Sequence, residues 1–154
     1  MTAATLPPIV IDTREQTPFV FTHQVVRAMV PTGADYSLVG FESLIGIERK
    51  SLDDLVGSLT QGRERFERSL TALRTRPFRA LIVEADWSDI LAGRYQSRAH
   101  PSSIVGSLAA MMADGVPVVF ASNGNAAAVL VERLLAKFWK RAIASQEPEA
   151  TCKG

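Results

Sequence analysis

Residues 44–55 constrain this chain more tightly than any other stretch. Apolar Ile45 and Ile47 alternate with Gly46, Glu48 and Lys50, and a helix-starting signal follows at once. In a strand, side chains two apart share a face. Glu48 and Lys50 therefore point one way, while Ile45 and Ile47 point the other way, into a core. Ser51 suits a helix N-cap, with Asp54 three residues on as a capping-box-like partner. Leu52, Leu55, Val56, Leu59, Phe66, Leu70 and Leu73 then recur at three- and four-residue intervals. This predicts a helix, a break near Gly62, and a second helix over about 63–75. The strand–helix corner thus carries an acid and an amine side by side. Such a pair serves either as a structural ion pair or as a place where a metal ion and a water meet. Asp54 is open to the same two readings, as a cap or as support for a site.

The rest of the chain builds outward from that corner. Residues 1–7 read as a flexible arm. Pro8-Ile9-Val10-Ile11-Asp12 is a short strand, apolar on both faces and therefore central in its sheet, ending at an acid. Residues 22–30 fit helical spacing over 22–29, but their β-branched content and Pro31 favour a strand at 25–30. The turn Pro31-Thr32-Gly33-Ala34 leads into Asp35-Tyr36-Ser37-Leu38-Val39, and residues 40–43 form a hairpin turn into the strand at 44–50. The expectation is an antiparallel meander that makes Asp35 and Glu48 neighbours. Two carboxylates so placed repel unless a cation or a raised pKa relieves them.

Beyond the two helices, Ala80-Leu81-Ile82-Val83-Glu84 is an apolar strand and residues 86–91 a turn into a brief helix, with Trp87 in the core or at its rim. Residues 93–100 form a polar loop with Arg94, Tyr95 and Arg98, suited to touching a polyanion. Pro101 opens a helix whose buried stripe is Ile104, Leu108, Met111 and Met112, ended by Gly115. Val116–Phe120 is a strand that Pro117 places near an edge. A last helix over about 125–143 has a wide apolar face, and residues 144–154 form a flexible tail. That face either covers the chain's own sheet or forms an interface. The order β, β-meander, α, β, α, β, α predicts a single α/β domain over 8–143, with a mixed central sheet flanked by helices.

Composition closes off several chemistries. The chain has 154 residues, 47% hydrophobic and 21% charged, with formal net charge +1. That is enough for one domain with a real core. A single cysteine, Cys152, rules out an internal disulfide, and two histidines, His23 and His100, make a histidine-built metal site or a Ser-His-Asp triad hard to assemble. No secretory signal, membrane span, Walker-type loop or dinucleotide-type glycine fingerprint is visible. We expect no membrane partner and an intracellular protein, cytoplasmic or nucleoid-associated if its source is prokaryotic or viral. What remains is a set of hard oxygen ligands at structural junctions: Asp12, Asp35 and Glu48. Oxygen donors without soft or imidazole ligands select Mg²⁺ or Mn²⁺. Lys50 would orient or deprotonate a water, or neutralise charge on a phosphate. Arg49, on the other side of the strand, would be a buried ion-pair partner or a helix-side contact. Arg14 and Glu15 would pair with each other or line the mouth of the site. The second helix's solvent side is rich in arginine (Arg63, Arg65, Arg68, Arg74 and Arg76), which reads either as a solvated face or as phosphate contact.

Val10-Ile11-Asp12-Thr13-Arg14-Glu15, Gly33-Ala34-Asp35-Tyr36 and Glu48-Arg49-Lys50-Ser51-Leu52-Asp53-Asp54-Leu55 together resemble the nuclease domain of the XPF-type structure-specific endonucleases. That family's signature is Gly-Asp, a variable gap, then Glu-Arg-Lys-x-x-x-Asp. Glu48, Arg49, Lys50 and Asp54 match it residue by residue. Asp35 matches its first Asp, with Ala34 inserted after Gly33, and Asp12 matches the first-strand metal-binding acid. Gly62-Arg63 resembles the family's continuation, whose arginine helps define the DNA-facing side. The resemblance is specific over residues 8 to about 85. It implies a restriction-endonuclease-like fold and Mg²⁺-dependent cutting of flap, fork or junction DNA. It also implies a metal set of Asp12, Asp35 and Glu48, catalytic support from Lys50, Arg49 and Asp54, and a DNA-facing Arg63; the nearby basic residues Arg14, Arg65 and Arg68 are expected to contact DNA beside it. Members often dimerise and often carry tandem helix-hairpin-helix modules. This sequence leaves no room for such modules after its last helix, so a homodimer or a separate DNA-targeting partner is expected to supply that grip. The rival expectations are a non-catalytic DNA-binding or scaffolding subunit of the same fold, and a junction-resolving or restriction-type nuclease.

Overall fold

The computed structural model describes residues 4–147. Six strands and five α-helices follow one another as β1 (Ile9–Asp12), β2 (Val25–Ala28), a 3-10 turn (Pro31–Gly33), β3 (Tyr36–Leu38), β4 (Ile45–Ser51), α1 (Leu52–Leu59), α2 (Arg63–Arg74), β5 (Phe78–Glu84), α3 (Trp87–Leu91), α4 (Pro101–Ala113), β6 (Val118–Phe120) and α5 (Gly124–Gln146). The strands form one sheet in the order β2-β1-β3-β4-β5-β6. β1, β3 and β4 are joined antiparallel, while β4, β5 and β6 run parallel. This is the mixed sheet flanked by helices that the hydrophobic pattern predicts.

Strand alternation sorts the core into two layers. Ile9, Ile11, Ile45, Ile47, Ala80 and Ile82 face α5, where Val131, Leu135 and Trp139 cover them. Val10, Leu81 and Val83 face the other way, against α1, α2 and α4 through Leu55, Phe66, Leu70, Ile104 and Leu108. Glu48 and Lys50 lie on this second face, where they line a cavity together with residues of α1 and α2. Ser51 caps α1 as expected: its side chain accepts from the Asp54 N–H, and its hydroxyl donates to Asp54 Oδ2 at 2.7 Å.

Several expectations need correction. β2 is not part of an antiparallel meander; it pairs parallel with β1, in register Ile9 to Val25 through Asp12 to Ala28. Residues 13–24 carry the chain over the α5 face and back, anchored by Phe19 and Phe21 on the Tyr36 ring, both at 5.3 Å between centroids. A crossover, not a hairpin, is what a parallel pair requires. Arg76 is not on the solvent side of the second helix: it is 1% exposed. It lies past the end of α2, where the chain turns beneath β4. Met112 is exposed, because the buried stripe of α4 runs through Ile104, Leu108 and Met111 alone. α5 begins at Gly124 and continues to Gln146, so the first residues assigned to a tail are helical. Its apolar face covers the sheet, with Val129 left outside. Residues 1–3 of the expected arm and 148–154 of the expected tail, Cys152 included, lie outside the described residues. No helix among the described residues is long and apolar enough to cross a membrane.

Candidate active site

The acidic end of β1, the start of β3 and the end of β4 converge because of how the three strands pair. Tyr36 stands opposite Ile47, which sets Asp35 beside Glu48. The Asp12 N–H donates to the Asp35 carbonyl and the Asp35 N–H to that of Ile47, each at 2.9 Å. The inserted Ala34 is buried in the bend after the 3-10 turn. The turn itself closes on Gly33, whose φ of +81° is a left-handed conformation.

These acids open into a cavity of about 650 Å³ that also receives Arg14, Lys50, Asp54 and Arg65. Three carboxylates of the site behave differently. Asp12 is buried, and burial opposes its charge. Four donors outweigh that: Arg14 Nε at 2.8 Å, Arg14 Nη2 at 3.0 Å, the Arg14 N–H at 2.9 Å and the Val30 N–H at 2.8 Å. The net result holds Asp12 at a pKa of about 2. Asp35 accepts one backbone bond, from the Arg49 N–H to Oδ2 at 2.7 Å. Burial raises its pKa, helped by the negative charges of Glu15 and Asp12. Glu48 keeps some surface on the cavity but is pushed up further, first by burial and then by Asp35 beside it. Asp35 and Glu48 thus form a pair that resists carrying two charges without a cation. Lys50 partly offsets them from the same face. Its Nζ lies 5.2 Å from the centre of the Phe66 ring.

Oxygen donors under like-charge repulsion fit a hard divalent cation. Asp35 and Glu48 both line the cavity. Asp12 is tied to Arg14, and among the described residues no three His, Cys, Asp or Glu side chains stand together as a preformed cation cage.

The other sequence-marked residues divide by position. Asp54 lines the cavity from the first turn of α1, and Arg65 lines it from α2. Arg68 lines an adjoining groove of about 460 Å³ with Arg14 and Arg65, and pairs with Glu64 at 3.3 Å. Arg63 is exposed at the start of α2 and lines neither space. Arg49 is on the opposite sheet face from Lys50. There it bonds Glu84 and the Thr17 carbonyl, reaches Glu15 at 3.2 Å, and lies 4.6 Å over the Phe19 ring. Only its backbone N–H touches the acid pair. Arg14 and Glu15 therefore do not pair with each other: Arg14 takes Asp12, and Glu15 takes Arg49.

Two supports escaped the sequence reading. Glu84, at the end of β5, anchors Arg49; its register across from Ser51 is the signal that could have found it. Arg76 donates to the carbonyls of Glu42 (2.8 Å), Pro31 (2.6 Å) and Ala72 (3.4 Å), bracing the 3-10 turn behind Asp35. Its sign in the sequence is Gly46, which shares a face with Glu48 and leaves room for the Arg76 stem.

The ERCC4 domain model matches residues 10–134. No curated protein matches significantly. Among solved structures, XPF from Aeropyrum pernix in complex with DNA is 27% identical with a TM-score of 0.69, covering 88% of this chain and 66% of that one. Another structure of XPF from Aeropyrum pernix is 27% identical with a TM-score of 0.68, over 85% of this chain and 61% of that one. The chain thus spans just under two thirds of the chains it matches, and its fold is the restriction-endonuclease-like fold of the XPF nuclease.

Proposed function

The chain belongs to the ERCC4 domain family, and on that premise we propose that it is a divalent-metal-dependent endonuclease that hydrolyses phosphodiester bonds in DNA at flaps, forks or junctions. One observation carries the reading: Asp35 and Glu48 are paired, recessed and destabilised as a doubly charged pair, in the cavity that also receives Lys50 and Arg65. A purely structural ion pair has no need of a second carboxylate working against it.

Each residue then has a task. Asp35 and Glu48, joined by Asp12, would hold Mg²⁺ or Mn²⁺. An ion held by these carboxylates would supply Lewis-acid chemistry there, polarising a phosphate oxygen and lowering the pKa of a bound water. Lys50 holds the attacking water on the Glu48 side of the cavity and offsets charge that builds on the phosphate oxygens. Arg65 and Arg14 grip the flanking phosphates, with Arg68 beyond them. Arg49 acts from behind the sheet: its side chain locks Thr17 and Glu15 to the end of β5, and its N–H orients Asp35. Asp54 acts through Ser51 at the strand–helix corner. A second copy of the chain, or a separate DNA-targeting partner, would supply grip outside this domain.

The test is a cleavage panel of flap, fork, junction and plain duplex DNA with Mg²⁺ or Mn²⁺. Wild type should cut branched substrates, and Lys50→Ala should fall by about 10²-fold or more, the scale of a lost charge-stabilising group. No cutting of any branched substrate with either metal would overturn the proposal.

A further inference from the structure

Arg14 occupies two places at once. Its guanidinium takes both oxygens of Asp12, and the same side chain forms a wall of the groove it shares with Arg65 and Arg68. Asp12 is 3% exposed in its side chain, but Arg14 is 63% exposed. The carboxylate is therefore fixed, and the guanidinium is the partner free to leave. Besides Asp12, the guanidinium makes one further hydrogen bond, a long one from Nη2 to the Val30 carbonyl at 3.4 Å. The backbone donors of Arg14 and Val30 stay on Asp12 if the side chain swings away, so the strand end keeps its hold on that acid.

A planar guanidinium binds carboxylate and phosphate in the same two-pronged manner. It cannot serve both with the same pair of N–H groups. We propose that Arg14 is an exchangeable positioning residue: a backbone phosphate bound in the Arg14–Arg65–Arg68 groove draws it off Asp12, and this frees the Asp12 oxygens for the divalent cation. This inference rests on the nuclease reading above and adds a coupling to it. DNA in the groove raises metal affinity, and metal on Asp12 raises DNA affinity by the same factor, because linkage is reciprocal. The device keeps the metal set incomplete until a phosphate chain is in place.

Mn²⁺ binding to the full chain without DNA, followed by the electron paramagnetic signal of the free ion, tests the exchange without any cleavage readout. Arg14→Gln should bind Mn²⁺ at least about five-fold more tightly than wild type, the lower end of ordinary coupling. Removing any positive charge nearby also favours a cation, so two controls separate exchange from simple charge. Arg14→Lys keeps the charge but not the fork, and should also bind more tightly than wild type. Arg65→Ala loses a charge from the same cavity without touching Asp12, and should change Mn²⁺ affinity less than Arg14→Gln. Equal gains from Arg65→Ala and Arg14→Gln, or no gain from Arg14→Lys, would overturn the exchange. Binding that Asp12→Asn weakens, yet both Arg14 variants leave at the wild-type value, overturns it while the nuclease reading stands. If no variant, Arg14→Gln included, shows carboxylate-dependent Mn²⁺ binding, both fall together.

Discussion

Glu48 and Asp12 sit in one cavity and respond to pH in opposite directions. A carboxyl with a raised native pKa holds its proton more tightly folded than unfolded. Its contribution therefore favours the fold at low pH and is lost as pH climbs from the ordinary carboxylate range near 4 through the raised value. Glu48 is of this kind. Glu48→Gln fixes the neutral form, so in metal-free buffer the variant should match wild type at pH 5. At pH 8 it should be more stable by about 1–3 kcal/mol, roughly 3–10 °C in Tm, while losing Mn²⁺-supported cleavage. Equal melting temperatures at pH 8 would show that Glu48 costs the fold nothing. Asp12, held at about 2, contributes stability that is present above pH 4 and is lost as pH falls toward 2. Asp12→Asn leaves donors on Arg14 and Val30 facing an amide, so it should lower stability at neutral pH by about 1–3 kcal/mol. Thermal melts of the two variants should thus move apart. These signs explain which part of the site local pattern reveals. That Glu48 and Lys50 share a face follows from strand alternation, and that Asp35 neighbours Glu48 from the hairpin; that Asp12 joins them follows from the resemblance to the family signature. That Arg14 belongs to Asp12, and Glu15 to Arg49, follows from none of these. Residues 13–15 lie in the turn that leaves β1, where no period assigns a direction to a side chain.

At the scale of elements, β4 carries more of the site than its own residues. One face sets Glu48 and Lys50 in the cavity; the other sends Arg49 to Glu84, Thr17 and Phe19. Arg49→Ala should release the 13–19 segment from the sheet and loosen the N–H that orients Asp35. We expect a lower kcat with little change in DNA affinity, since the side chain faces away from the cavity. A matching loss of DNA affinity would place Arg49 on the DNA surface instead. Gly46, earlier in the same strand, has a different role. A Cβ there would come within 2.5 Å of Arg76 Cδ and 3.2 Å of Ala34 Cβ. Gly46→Ala must therefore displace the buried arginine that braces the 3-10 turn, at a cost of about 1–3 kcal/mol by chemical denaturation. An unchanged denaturation midpoint would mean that Arg76 moves aside freely. The strand and the α1–α2 break at Gly62 are legible because alternation, capping and helical spacing are local. The parallel pairing of β2 is not local. The connection that makes it packs Phe19 and Phe21 onto Tyr36, a contact distant in sequence that the β-branched pattern at 25–30 does not encode.

Across the whole molecule, the acidic cavity is the middle of a longer groove. Toward α2 it shares Arg14, Gly33, Arg65 and Ser69 with the arginine-lined space. Toward α1 it shares Asp53 and Gly57 with a further cavity of about 650 Å³, walled by Thr60, Gln61 and the loop carrying Gln96, Ser97 and Arg98. The Gln96 N–H donates to Asp53 Oδ1 at 2.9 Å and pins that loop to the helix. On the proposed nuclease reading a polymer cut in the middle would leave on both sides, and the two arms offer different chemistry: arginines on one, amides and hydroxyls with Arg98 on the other. The chain's formal net charge of +1 conceals this arrangement. Each phosphate neutralised by a side chain contributes about one unit to the dependence of log affinity on log salt. Removing Arg65 and Arg68 together should lower that slope by about two, and Arg98→Ala should lower it by about one. Both should hold in Ca²⁺, with a forked duplex long enough to span the groove. If Arg98→Ala leaves the slope unchanged while the α2 pair lowers it, the DNA leaves the site before the 96–98 loop and only the arginine arm tracks the backbone. If both lower it, the strand runs the full length of the groove, and the loop opposite α2 helps hold the bond over Glu48 and Lys50.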